Sequence, residues 1–324
     1  MRFHVICERD VGLFSLIQQV IANVPWALQE QRIPVVYFQE RTCYWTPNGY
    51  QGKDSVWEYY FEPLVADHPA SSIPEPIRRT ISASFPDPLE VGYFADDHVF
   101  VSNHFGDHPA LKGKALSIPY LFDDPDDGLR QEAKNVILGY VRPRAYIQWQ
   151  VDDFFARHMN AGYVIGVHAR GTDAVSKEEI RPHRQGSLVL AKYSADVQGL
   201  LEAHPGAKVF VATDDQASLD YFKRELGSRV IAWNSIRHEG GEAAGKGPTG
   251  WIMPAYIAAD RDRAAKNGEE AVIEYLLLSR CSHLVHNGGS LARTVLLNAP
   301  HLPHANTHRP QRLAQVSGET HGGR

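Results

Sequence analysis

Cysteine is scarce in this sequence, and long hydrophobic segments are lacking. The chain has three cysteines, Cys7, Cys43 and Cys281. An odd number at wide spacing predicts neither a disulfide framework nor a metal site, so we interpret them as reduced thiols. No run of about 18 apolar residues is present to cross a bilayer, and the first residues show no cleavable signal pattern. The sequence therefore predicts a cytoplasmic protein without an integral membrane segment.

The sequence also lacks a large excess of charge of either sign. Lys and Arg number 33 against 38 Asp and Glu, which gives a formal net charge of −5. General binding to nucleic acid or to an anionic membrane needs a basic face, so neither is an expected partner. The length of 324 residues suits two domains, or one large α/β domain, with a core that needs no disulfide or metal support.

Apolar periodicity predicts an α/β fold built from two similar halves. Residues 3–7 and 33–38 are typical of strands, and a helical pattern lies between them from about Phe14 to Gln29. This order forms a βαβ unit with parallel strands. The second half repeats the pattern, with predicted strands at 163–168, 208–213, 229–233 and 282–286 and predicted helices at 191–203, 214–226, 268–280 and 290–298. Asn267 is the predicted N-cap of the helix at 268–280.

Two such halves predict two Rossmann-like domains that face each other across a cleft. We place them at residues 1–155 and 156–304, followed by a flexible tail at 305–324. Ligands of open parallel sheets bind at the carboxyl ends of the strands. Polar residues that directly follow predicted strands are therefore the first candidates for a site.

Several patterns that resemble ligand motifs lack the surroundings they need. Residues 245–250 match G-x-G-x-x-G, but no strand directly precedes them. The D-x-D patterns at 124–126 and 260–262 are more typical of a turn and a helix face. His104 and His108 are interpreted as lacking the geometry of a metal site. The terminal histidines His301, His304 and His308 are interpreted as exposed. The sequence therefore predicts no metal site.

The segment at 164–173 carries the strongest signal for an anionic ligand. A buried strand ends at His168, and Arg170 follows it just before a glycine turn and Asp173. A guanidinium group at this place neutralises a phosphate through paired hydrogen bonds. Asp173 is a candidate to hold Arg170 in place. The alternative is an Arg–Asp pair that only closes a turn.

Two further features suit a nucleotide. Glu274 lies among apolar neighbours on a predicted helix, where a carboxylate needs a partner. Guanine offers a matching pair of N–H donors, and the alternative is a partly exposed helix position. Gly289 and Ser290 precede the last helix, whose N-terminus favours an anion. Arg293 follows one turn later as a second cation, and the alternative is an ordinary helix cap.

The ordered motifs VIGVHARGTD at 164–173, VFVATDD at 209–215 and AVIEYLLLSRCSHLVHNGGSLAR at 271–293 resemble the GT-B glycosyltransferases of the fucosyltransferase superfamily. That group includes the rhizobial nodulation fucosyltransferase, the α1,6-fucosyltransferases and the protein O-fucosyltransferases. The resemblance is good over residues 163–300. It is looser in GLFSLIQQV at 12–20 and CYWTPNGY at 43–50.

The resemblance implies an inverting transfer of fucose from GDP-fucose, without a metal or other cofactor, to a glycan or protein hydroxyl. It implies donor contacts from His168 and Arg170, and recognition of guanine by Glu274. Gly289 and Ser290 stand where the family has two serines. The predicted donor site consists of His168, Arg170, Asp173, Asp214, Glu274, Gly289, Ser290 and Arg293. Glu274 in place of Asp, and H-A-R-G-T-D in place of H-V-R-R-T-D, leave open another GDP-sugar. A non-catalytic nucleotide-sugar or glycan-binding module with the same fold is a separate alternative.

Glu8 and Asp10 follow the first predicted strand and are candidates for the base that deprotonates the acceptor. Some O-fucosyltransferases resemble this arrangement, and the alternative is two turn residues near Arg9. An aromatic segment beyond the second strand is the candidate acceptor surface, since aromatic faces stack on sugars; its members are Tyr44, Trp45, Tyr50 and Trp57. The alternative is a packed cap over the sheet.

Overall fold

The protein is represented by a computed structural model. It describes residues 1–9, 11–84, 94–95, 98–103, 113–119, 123–160, 162–170, 190–239, 245–246, 252–253 and 260–307. The strands are β1 Phe3–Cys7, β2 Ile33–Tyr37, β3 Phe94–Ala95, β4 Val99–Ser102, β5 Val164–His168, β6 Lys208–Ala212, β7 Val230–Ile231, β8 Gly245–Lys246, β9 Ile252–Met253, β10 His283–His286 and β11 His304–Asn306.

The α-helices are α1 Leu13–Gln29, α2 Val56–Tyr60, α3 Glu75–Ser84, α4 Asp127–Tyr140, α5 Ala145–His158, α6 Leu190–Ala203, α7 Gln216–Leu226, α8 Arg261–Leu278 and α9 Ser290–Asn298. Short 3-10 turns lie at Ala70–Ser72 and Gly227–Arg229. No helix in the described ranges is long and apolar enough to span a membrane.

The strands form two main sheets, as the sequence predicts. The first has the order β2-β1-β4-β3, in which β1 pairs in parallel with β2 and β4, and β3 is antiparallel to β4. The second has the order β11-β10-β5-β6-β7 and is parallel throughout. Strands β1 and β5 are buried along their whole length, as expected for parallel strands between helices.

Helices from both halves share one core. The largest cluster of buried apolar side chains draws on α1, α2, α4, α5, α8 and α9. In it, the rings of Phe14 on α1 and Tyr275 on α8 lie 5.5 Å apart between centroids. Helix α4 packs against α9 and α5 packs against α8. The segment that the sequence assigns to the domain boundary therefore contacts C-terminal helices, while the boundary itself stays a prediction.

Two local predictions differ from the structure. Helix α8 begins at Arg261 rather than Gly268, because Asp260 caps it by accepting a hydrogen bond from the Arg263 amide at 3.0 Å. Residues 305–306, assigned to a tail, belong to β11, which pairs in parallel with β10. Asp10, Asp173 and residues 308–324 lie outside the described residues.

Candidate active site

The N-termini of α1 and α9 meet between the two sheets. Helix α1 follows the carboxyl end of β1, and α9 follows that of β10. The hydroxyls of Ser15 and Ser290 are 3.0 Å apart. Gln18 donates from Nε2 to the Ser290 carbonyl at 2.7 Å and to Thr294 Oγ1 at 3.1 Å. Because helix N-termini carry partial positive charge, this junction favours an anion.

His168 lies at the carboxyl end of β5, beside this junction. It pairs in register with His286 of β10, and a Cβ built on Gly289 would lie 3.5 Å from its Cε1. The ring is 7% exposed, and within the described parts of the chain Nδ1 is buried without a hydrogen-bond partner. Burial, and secondarily Arg170, lowers the pKa of His168 to about 3. A neutral imidazole with an unused ring nitrogen therefore lines the Gly289 turn.

Two guanidinium groups accompany this histidine. Arg170 is half-buried and follows β5 by two residues, close enough to disfavour the charged form of His168. Arg293, one turn into α9, is buried and donates from Nη2 to Ser290 Oγ at 3.1 Å. The structure thus brings together His168, Gly289, Ser290 and Arg293, with Arg170 nearby. Positive charge and helix N-termini at one place suit a phosphate.

Glu274, the predicted guanine contact, lies on α8 and is 6% exposed. Its Oε1 accepts a hydrogen bond from Ser235 Oγ at 2.5 Å and lies 3.6 Å from Arg237 Nη2. Burial raises the pKa of Glu274 to about 7, although the Ser235 hydrogen bond and Arg237 act in the opposite direction. Asp214 contributes to this increase, so its carboxylate lies near enough to Glu274 to act on it electrostatically.

Arg237 and Ser235 were not predicted from the sequence as site residues. The Arg237 guanidinium is buried and donates to the carbonyls of Trp233 at 2.7 Å and Ser235 at 3.1 Å. Both residues follow β7, and residues after a parallel strand line the ligand crevice. That rule could have found them. Gln18 had a weaker signal, since it is one of several polar residues, with Gln19 and Asn23, in the largely apolar helix α1.

Glu8 follows β1 directly and is 3% exposed. Burial raises the pKa of its carboxyl to about 7, and hydrogen bonds from the backbone near Gln39 and Arg41 partly oppose this. A pKa near neutrality suits proton transfer. Asp10, the other predicted base, is not among the described residues.

The predicted acceptor aromatics separate into buried and partly exposed residues. Trp57 is 2% exposed, stacks on Phe61 with ring centroids 4.5 Å apart and donates from Nε1 to the Glu62 carbonyl. Tyr44 is also buried, and its hydroxyl accepts from the Leu13 amide at 3.3 Å. Trp45 and Tyr50 keep partial exposure. Because a buried ring has no face left for a sugar, the packed-cap interpretation fits Tyr44 and Trp57 better.

The structure also brings Asp124, His286 and His304 together, and their potential ligand atoms lie within 4.8 Å of one another. His304 is half-buried in β11, so the prediction that it is exposed is wrong. His286 Nε2 lies 3.1 Å from His304 Nδ1 and 3.9 Å from Asp124 Oδ1. No sequence pattern linked the members of this group, because Asp124 and His286 are 286 − 124 = 162 positions apart, more than the length of one predicted domain.

Two largely parallel α/β sheets, with the helices that follow β1 and β10 in contact at their N-termini, form the GT-B glycosyltransferase fold, as the sequence predicts. No protein-family model and no curated protein matches the sequence.

Solved fucosyltransferases share this fold. The α1,6-fucosyltransferase NodZ, soaked with GDP-fucose, is 17% identical with a TM-score of 0.53, over 92% of this chain and 93% of that chain. NodZ from Bradyrhizobium is 15% identical with a TM-score of 0.52, over the same shares. POFUT1 in complex with GDP is 14% identical with a TM-score of 0.54, over 94% of this chain and 98% of that chain. The resemblance seen in the sequence motifs is therefore confirmed at the level of the fold.

Proposed function

We propose that this protein is a fucosyltransferase that moves fucose from GDP-fucose to a hydroxyl of a glycan or protein acceptor. The observation that carries the proposal is the junction of α1 and α9, where Ser15 and Ser290 are 3.0 Å apart. Beside it lies buried His168, whose Nδ1 has no hydrogen-bond partner among the described residues. Such a junction is built for an anionic ligand. Similar solved structures contain GDP or GDP-fucose, which supports a nucleotide diphosphate as that anion.

The proposed step is a displacement with inversion at the anomeric carbon. The acceptor oxygen forms a bond to this carbon, the bond to the β-phosphate oxygen breaks, and its electron pair leaves with GDP. Arg170 and the N-terminus of α9 stabilise the negative charge that builds on the diphosphate. Preorganised charge of this kind contributes on the order of several kcal/mol to catalysis. We propose that no metal takes part.

Glu8 is the proposed acceptor of the proton from the attacking hydroxyl. Its raised pKa, about 7, matches neutral conditions. Asp10 stays the second candidate, and Asp173 stays a proposed partner of Arg170. Trp45 and Tyr50 remain the proposed acceptor contacts. A cytoplasmic location is proposed from the sequence.

Glu274 is the proposed guanine contact. A carboxylate matches the N1–H and amine donors of this base, and Asp214 lies near enough to act on Glu274 electrostatically. Two alternatives keep the same site: transfer of another GDP-sugar, or binding without transfer. Glu274 stands where the family usually has Asp, which leaves open the transfer of another GDP-sugar. A donor panel with mass-spectrometric detection of transferred sugar separates all three.

The donor site predicts selective binding of GDP. Calorimetry with GDP, UDP and ADP is expected to give tight binding for GDP and at least about tenfold weaker binding for the others, because uracil and adenine lack the pair of N–H donors that guanine offers to Glu274. Equal affinity for the three nucleotides would contradict the role of Glu274.

Replacement of Arg170 by alanine is expected to lower kcat by about 100-fold or more, since it removes charge stabilisation of the leaving group. The matched control is Arg157→Ala, an exposed pair with Asp153 on α5, which should leave kcat unchanged. Activity in excess chelator tests metal independence in the same assay. Normal turnover by the Arg170 variant would refute the proposed role.

A further inference from the structure

The Gly288–Ser290 turn at the start of α9 depends on a side chain outside the proposed donor contacts. Gly288 has a φ of +76°, in the left-handed region that favours glycine. Its amide donates to His286 Nδ1 at 3.0 Å. His286 is fully buried at the end of β10. The imidazole thus fixes the first residue of the turn that leads to Gly289 and Ser290.

This hydrogen bond decides which nitrogen of His286 carries the proton. An amide N–H only donates, so Nδ1 must use its lone pair to accept. A neutral His286 then holds its proton on Nε2, which faces His304 Nδ1 at 3.1 Å and Asp124 Oδ1 at 3.9 Å. Asp124 in turn accepts from Asn306 Nδ2 at 3.0 Å. The contacts of His286, His304 and Asp124 therefore connect the Gly288–Ser290 turn with β11.

The same protonation argues against a metal centre at this group. A histidine binds a metal through a nitrogen lone pair, but here Nδ1 accepts from Gly288 and Nε2 carries the proton. In metal sites, the nitrogen not bound to metal usually donates its N–H to an acceptor. The Gly288 amide is a donor, so it cannot accept the N–H that a metal-bound His286 would donate from Nδ1.

We propose that His286 and His304 form a hydrogen-bonded relay, with the Asp124 carboxylate 3.9 Å from His286 Nε2, that positions the Gly288–Ser290 turn for the donor diphosphate. The inference rests on the proposed function, because it assigns the turn to the donor. His286 is a positioning residue and does not touch the donor. Its effect reaches the ligand through Gly289 and Ser290, whose neighbours His168 and Arg293 complete the anion site.

Three substitutions of His286 separate its hydrogen bond with the Gly288 amide from its contact with His304. The Oδ1 atom of asparagine lies where Nδ1 of histidine lies, so His286→Asn keeps an acceptor for Gly288. Glutamine reaches the position of Nε2, so His286→Gln keeps the contact to His304 and loses the acceptor for Gly288. His286→Phe loses both. His301→Gln, an exposed histidine beyond α9, is the control.

The experiment is calorimetry with GDP, together with the KM for GDP-fucose and thermal unfolding of each variant. We expect GDP affinity to fall about tenfold in His286→Gln and His286→Phe, with KM affected more than kcat, and to recover largely in His286→Asn. Should the variants of His286 not fold, His304→Leu serves as the second test. It removes only the outer contact, and we expect a fall of about threefold.

The outcomes distinguish this proposal from the proposed function. Failure of the unmodified protein to bind GDP would refute the donor site itself. Tight GDP binding with equal affinity in His286→Gln, His286→Asn and the control would overturn the relay alone. Stoichiometric binding of Zn²⁺ that is lost in Asp124→Asn or His304→Leu would overturn it as well, because a metal would then organise the group.

Discussion

Gly268 shows how one residue sets the approach of two elements. A Cβ at this position of α8 would lie 2.3 Å from the Tyr60 hydroxyl oxygen. That hydroxyl donates to the Ala265 carbonyl at 2.8 Å, and the Tyr60 ring is fully buried. Glycine therefore lets the aromatic segment after β2 pack directly on the helix that carries Glu274.

Gly268→Ala is expected to destabilise the protein by about 1–3 kcal/mol, because Tyr60 must move within a packed core. The control is Gly199→Ala on the exposed side of α6, where a Cβ meets nothing within 4 Å. That change should stabilise the fold by about 0.5–1 kcal/mol through helix propensity. Urea unfolding measures both, and equal stability of the two variants would contradict the packing argument.

Among the elements, α4 holds the end of α9 in place. The buried Arg130 guanidinium of α4 donates to the carbonyls of Leu296 at 3.3 Å, Ala299 at 3.1 Å and Leu302 at 3.0 Å. Carbonyls at a helix C-terminus lack partners within the helix. The planar fork of arginine reaches the Leu296 carbonyl in the last turn of α9 and two carbonyls just beyond the end of the helix. Helix α4 thereby fixes the helix whose N-terminus forms the candidate anion site.

Arg130→Met keeps the length of the side chain but leaves three carbonyls without this donor. We expect a loss of about 2–4 kcal/mol in the free energy of unfolding. The exposed Arg157→Ala on α5 should cost under about 0.5 kcal/mol. Chemical denaturation of both variants provides the comparison. An Arg130 variant as stable as the Arg157 variant would show that the contacts to α9 contribute little.

At the scale of the whole molecule, buried titratable groups make stability depend on pH in two opposite ways. Burial raises the pKa of Glu8 and Glu274 to about 7. Their contribution to stability is fully present below about pH 4.5, the ordinary carboxyl pKa, and is lost as the pH rises through 7. Burial lowers the pKa of His4 and His168 to about 3. Their contribution is present above about pH 6.5 and is lost as the pH falls toward 3.

Glu8→Gln should therefore remove part of the loss of stability between pH 5 and pH 8. We expect the variant to gain about 1–3 kcal/mol relative to the unmodified protein over that interval, because glutamine stays neutral. Glu75→Gln on α3 is the control, since arginines lower the pKa of this exposed carboxyl and its contribution is lost as the pH falls. If the stability of the Glu8 variant and that of the unmodified protein depended on pH in the same way, burial of the Glu8 carboxyl would not be the cause of the pH dependence.

Local sequence signals sufficed to predict the helices and strands whose bounds depend on residues close in the chain. The strand Phe3–Cys7 has the predicted bounds, and Asp215 caps α7 by accepting from the Ser218 amide at 2.8 Å. Gly227 ends the same helix with a φ of +58°. The order of these elements sufficed to predict the α/β fold, because parallel strands joined by helices allow few arrangements. His168 and Glu274 were likewise found from their places on such elements.

Only the tertiary structure decided which side chains meet. The Asn267-Gly268 pair resembles a helix start, but α8 begins earlier, at the Asp260 cap, and the glycine instead leaves space for Tyr60. Trp57 is a core residue and His286 contacts His304 because distant segments of the chain pack together. Periodicity and capping act within a few residues of the chain, whereas burial and hydrogen-bond partners depend on how sheets and helices pack.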